Sequence, residues 1–102
     1  MYKSKRSQYT DIPKTVKDKV WQRDDHRCIF CGSSQARPEA HIIQRSSGGI
    51  GVEQNIITVC RRCHMLMDQS TKREKMIKSA MHYIENIYGN IDWSDYIYDV
   101  SK

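Results

Sequence analysis

Residues 60–68, CRRCHMLMD, place two cysteines, a histidine and an aspartate within nine residues. The stretch contains no helix breaker and is made of good helix formers. It is entered from NIITVC, residues 55–60, a β-prone run rich in branched side chains. A strand therefore runs directly into a ligand-bearing helix. On that helix His64 and Asp68 stand at i, i+4, share one face and could grip one cation; the plain alternative is a surface histidine beside a surface aspartate. Cys60 and Cys63 have a different geometry, because two intervening residues let a tight turn aim both sulfurs at one ion.

A second pair with the same spacing, Cys28 and Cys31, lies in RDDHRCIFCG, and these four are all the cysteines of the chain. Two such knuckles complete a tetrahedron, so Cys28, Cys31, Cys60 and Cys63 are expected to hold a structural Zn²⁺. With sulfur in all four positions the ion is closed to substrate and supplies folding energy. A redox pair is the rival reading, but no thioredoxin-like βαβ pattern surrounds either pair. No apolar run is long enough to span a bilayer and MYKSKRSQYT lacks the apolar core of a signal peptide, so a reducing cytoplasm is expected, where thiols serve as ligands rather than disulfides.

Around the knuckles three regions are expected. Residues 1–12 carry Lys3, Lys5 and Arg6 without apolar periodicity and read as a basic flexible arm. Residues 13–88 read as the working domain. Within it, Pro13 opens a short amphipathic helix through Val16, Val20 and Trp21 to about Arg23, with Trp21 as a core residue. RPEAHII favours an extended segment, RSSGGIG a loop, and TKREKMIKSAMHYIENIYG a long helix with Thr71 and Glu74 as a capping box and Gly89 as its stop. His26 and Phe30 read as scaffolding of the first knuckle, and His82 as a half-buried helical histidine. Residues 89–102 form an acidic, aromatic tail that either packs on the domain or contacts a partner. Of the net charge of +5, residues 1–82 hold sixteen basic against eight acidic side chains, a field that attracts polyanions.

His41 lies on the extended segment, Asn55 follows the glycine-rich loop, and the second knuckle leads straight into His64. In CIFCG, AHIIQRSSGG, QNIITVCRRCH and the trailing Asp68, the chain resembles the HNH endonucleases of the ββα-metal or His-Me finger type, particularly the small proteins encoded by phages and prophages. The resemblance implies an α+β fold with a ββα-metal, treble-clef-like core, a four-cysteine zinc staple and flanking helices. It also implies His41 as general base, Asn55 as the residue that pins the loop or touches the metal, and His64 with Asp68 as holders of a catalytic Mg²⁺ or Mn²⁺. A histidine ligand suits Mn²⁺ better than strict Mg²⁺. One position departs from the pattern. Where the family usually places an Asp or His ligand before the base, this chain has Ala40, and Glu39, water or substrate oxygens are the candidates to replace it.

The expected activity is metal-dependent hydrolysis of DNA phosphodiester bonds, nicking with low sequence specificity, by a monomer or weak dimer. Arg45, Arg61 and Arg62 are the candidate phosphate contacts. Two alternatives from other classes are a non-catalytic zinc-stapled nucleic-acid-binding module, disabled by Ala40, and an adaptor with a phage packaging partner.

Overall fold

Two short antiparallel strands organise the molecule, whose computed structural model describes residues 5–69 and 71–98. Strand β1 (Ala36–His41) pairs with β2 (Ile56–Cys60), setting Ala36 opposite Cys60, Ala40 opposite Ile57 and His41 opposite Ile56. The register breaks between Arg37 and Ala40, around Pro38, which has no N–H to give to the ladder. All five residues of β2 are buried, as expected of a run that is apolar on both faces.

Helix α2 (Lys14–Arg23) lies against both strands, while α3 (Arg61–Gln69) continues from β2 and packs on α4 (Arg73–Tyr88). Ile57 and Val59 join Ala40, Ile42, Met67, Ala80 and Ile84 in one cluster with Cys28, Cys60 and Cys63. By the pleat, Ile56 and Thr58 point the other way, toward the side where Val20 of α2 is wholly buried.

A charged pair ties these layers together. Arg23 ends α2 and Asp24 follows it, buried. The Asp24 carboxylate accepts from the Thr58 backbone N–H at 2.8 Å, from the Tyr83 hydroxyl at 2.7 Å and twice from Arg23. Arg23 also donates to the carbonyls of Glu53 and Ile56 at 2.5 and 2.7 Å. The Tyr83 hydroxyl, partly buried and beside that carboxylate, is pushed up to about 12. After Asp24 the chain reverses through Asp25 and His26, both with φ of 59°.

Four sequence expectations are corrected. The stretch read as a flexible arm is helical over α1 (Lys5–Thr10): Arg6 donates to the carbonyls of Arg45 and Ser46, Tyr9 stacks on Tyr98 and Thr10 is buried. Lys3 lies outside the described residues. Trp21 is only partly buried and stacks on His26, 4.9 Å between ring centroids. The capping box does not form, since α4 begins one residue later than Thr71 requires, with Lys72 at the N-cap and no side-chain cap. His82 is exposed rather than half-buried. The described part of the tail, to residue 98, touches the domain: Ile97 bridges Gly49, Ile50 N–H donates to Tyr96 O, and Tyr98 N–H donates to Gly48 O, while residues 99–102 lie outside the described residues. Gly89 closes α4 with φ of 88°, as expected.

Candidate active site and zinc cage

The ligand atoms of Cys28, Cys31, Cys60 and Cys63 lie within 4.8 Å of one another, the only group of three or more such ligands that converges among the described residues. The Cys31 and Cys60 sulfurs are 3.5 Å apart. Tetrahedral Zn–S bonds of about 2.3 Å set sulfurs roughly 3.8 Å apart, so the cage fits zinc and no disulfide links its members. Burial pushes the Cys63 thiol up; the same effect on Cys28 is overcome by backbone N–H groups around its sulfur, which bring it down to about 7.

Cys60 ends β2 and Cys63 lies in the first turn of α3, so the cage sets the angle between strand and helix. Cys63 and Met67 are buried on one face of α3. His64 and Asp68, one position further on, face a cleft of about 600 Å³, with His64 Nε2 3.5 Å from Asp68 Oδ2. Two ligand atoms at that separation can meet a cation at bonds of about 2.1 Å with an angle somewhat above 100°. His41, Glu39 and Asp11 line the same cleft, as do Lys17 and Arg45.

His41 approaches from β1 with Nε2 2.8 Å from the Thr10 carbonyl oxygen. A carbonyl only accepts, which assigns the hydrogen to Nε2 and leaves Nδ1 as the basic nitrogen of the neutral ring. Thr58 Oγ1 is the one buried side-chain N or O atom without a partner among the described residues. Burial holds the His41 imidazole below its ordinary value, helped by Arg45 and His64 and opposed by the Thr10 carbonyl and Asp11.

Asn55 is fully buried and spends its amide on the loop: Oδ1 accepts from Ile43 N–H at 2.8 Å, and Nδ2 donates to the carbonyls of Ile43 and Ile50 at 3.2 and 3.0 Å. Gly49 is needed here, since a Cβ on it would sit 1.7 Å from Ile43 O. Over residues 28–81, more than half its length, the chain matches the family described as HNH endonuclease. The chain belongs to the HNH endonuclease family. No curated protein matches it. Membership places this HNH protein among nucleases as a class, and such enzymes use divalent metals. No helix of its described residues is long and apolar enough to cross a membrane.

The remaining candidates of this HNH chain distribute unevenly. Ala40 is 1 % exposed and offers no donor atom. Glu39 shares the His41 cleft but is bound to Lys17 at 3.3 Å. Arg45 is engaged with Asp11 at 2.5 Å. Arg61 lines an adjoining cleft together with Arg37, which sequence reading overlooked, and Arg62 is exposed on α3. Glu39 and His64 belong to both clefts. Also overlooked were Thr10 and Asp11, because a backbone carbonyl carries no sequence signal and the segment shows no periodicity.

Proposed function

We propose that this HNH protein hydrolyses DNA phosphodiester bonds, with β1, β2 and α3 as its ββα-metal core and one active centre in the cleft between His41 and His64. The observation that carries the reading is the His41 ring: it lines the cleft that holds His64 and Asp68, and with Nε2 tied to Thr10 O the nitrogen left to take a proton is Nδ1. In the reaction Nδ1 takes the proton of a water whose oxygen attacks phosphorus, and the bond to the departing 3′ oxygen breaks. His64 and Asp68 would hold a Mg²⁺ or Mn²⁺, which neutralises charge on the phosphate and on the leaving oxygen. Glu39, released from Lys17, is the replacement for the ligand that Ala40 cannot be. Asn55 positions the loop and leaves no amide atom for a metal. The adjoining cleft with Arg37 and Arg61 gives the strand a basic path away from the cut. One centre per chain implies nicking, and the absence of a groove-reading module among the described residues favours low sequence specificity.

The test is supercoiled plasmid incubated with the purified chain, with Mg²⁺, with Mn²⁺ and with EDTA, beside His41→Ala. Open circles in the metal arms and their loss in EDTA and in His41→Ala are expected. Equal nicking by His41→Ala refutes the assignment of the base. DNA binding without cleavage in any metal arm favours the zinc-stapled binding module, and cleavage that requires a phage packaging protein favours the adaptor.

A further inference from the structure

Helix α1 and the end of the tail both lie outside residues 28–81, the part that matches the family, yet they meet over the loop between His41 and Asn55. Tyr9 and Tyr98 stack with ring centroids 5.1 Å apart. Tyr98 is bonded to Gly48, and Gly51 N–H donates to Tyr9 O at 2.9 Å. On the other side of the loop Arg6 donates to the carbonyls of Arg45 and Ser46 at 2.9 and 2.8 Å, and Arg45 returns an ion pair to Asp11. The result of this clasp is the position of one atom. Thr10 is the last residue of α1, where a helix leaves its carbonyls without partners of its own, and that carbonyl receives His41 Nε2.

We infer that α1, held by the tail, is a positioning element of the active centre: docked, its terminal carbonyl fixes the tautomer and direction of the His41 ring. The inference rests on the nuclease reading. It assigns α1 no contact with the reacting atoms. Undocking α1 leaves the zinc cage and the cleft walls from α3 in place, but frees the ring to rotate and to carry its hydrogen on either nitrogen. A base so released is a poorer base, because a misplacement of about 1 Å at a reacting group can cost on the order of a hundredfold in rate.

Gly51 supplies a wedge against the backbone that directly follows α1. A Cβ there would stand 2.0 Å from the Asp11 carbonyl oxygen and 3.0 Å from Ile12 Cα. The backbone after Thr10 must therefore retreat by more than ~1 Å to restore ordinary contact. In full-length Gly51→Ala, cleavage at saturating DNA is expected to fall at least about tenfold, with DNA affinity and zinc content unchanged and the ¹⁵N signature of the Nε2-protonated His41 ring lost. Arg6→Ala with Tyr9→Ala loosens the same helix from its exposed side and guards against a misfolded wedge variant; a smaller loss with the same signature is expected. If the folded variants cut at the wild-type rate, or lose only DNA affinity while the ring keeps its tautomer, α1 does not position the base. His41→Ala run alongside separates the two failures: wild-type cutting by that variant overturns the nuclease base, whereas wild-type cutting by the α1 variants alone overturns only the clasp.

Discussion

Asn55→Ala tests whether this residue serves the loop or a metal. The side chain is fully buried and makes three hydrogen bonds, to Ile43 N–H, Ile43 O and Ile50 O. Truncation strands one donor and two acceptors in a space that a single methyl leaves partly empty. An unsatisfied buried donor costs about 1–3 kcal/mol and each lost bond about 0.5–1.5 kcal/mol, so the change should destabilise the protein by about 3–5 kcal/mol. Against a total of roughly 5–15 kcal/mol for a domain this is a large share. Urea unfolding of the zinc-loaded protein should show it as a drop in midpoint of about 2 M, taking a slope near 2 kcal/mol per molar. Asn55→Asp should be no better, because it keeps the acceptor for Ile43 N–H but turns a second oxygen on the Ile43 and Ile50 carbonyls. A shift below about 1 kcal/mol in Asn55→Ala, with activity recovered by raising the metal concentration, would refute the reasoning and make Asn55 a ligand.

Further outcomes follow from other parts of the structure. Cys60→Ser should lower zinc content and melting temperature together, and an unchanged melting temperature refutes a structural zinc. Because burial lowers the His41 imidazole, the acidic limb of the rate profile should lie below the ordinary value of 6.5. The same shift bears on stability: the unfolded chain takes up this proton first as pH falls, so the contribution is present above 6.5 and is lost as pH drops toward and through the folded value. Asp24→Asn removes the countercharge of a part-buried arginine and should cost about 3–5 kcal/mol in thermal or urea unfolding. Arg61→Ala should weaken DNA binding evenly across sequences and reduce the slope of log affinity against log salt by about one, as loss of one phosphate contact demands.

What the sequence made legible is what spacing and periodicity encode. Two C-x-x-C pairs led to four sulfurs within 4.8 Å, and the apolar stripe through Ala80 and Ile84 led to α4 and its stop at Gly89. What stayed hidden depends on partners far along the chain. Lys5–Thr10 has no apolar stripe, and its helix is held instead by bonds to Arg45 and Ser46, nearly forty residues away, and by a stack on Tyr98. Thr71 and Glu74 have the composition of a cap, but the short turn after α3 leaves Lys72 at the start of α4. Arg23 and Asp24 look like two more surface charges in WQRDD. Only the pairing of Asp24 with Thr58 N–H and Tyr83, in a layer where β2 has no exposed residue, makes them a buried junction.

The same distinction explains why the candidate site was half legible. His64 follows Cys63 directly, so a sulfur cage that fixes the strand-to-helix angle also fixes the azimuth of the next side chain, one helical step round from the buried face. Asp68 shares that azimuth at i, i+4, which is why one nine-residue segment predicts both. His41 is different, because its place on β1 says which face the ring leaves from and nothing about which nitrogen it exposes. That choice is made by an oxygen at the end of α1, thirty-one residues earlier in the chain. Metal removal therefore separates the two halves of the site. Stripping zinc should disturb His64 and Asp68 first and leave the His41–Thr10 contact until the sheet itself opens, an order that residue-resolved NMR during chelation can follow. Simultaneous loss of both would mean that the cage supports the whole domain and not the α3 side of the cleft in particular.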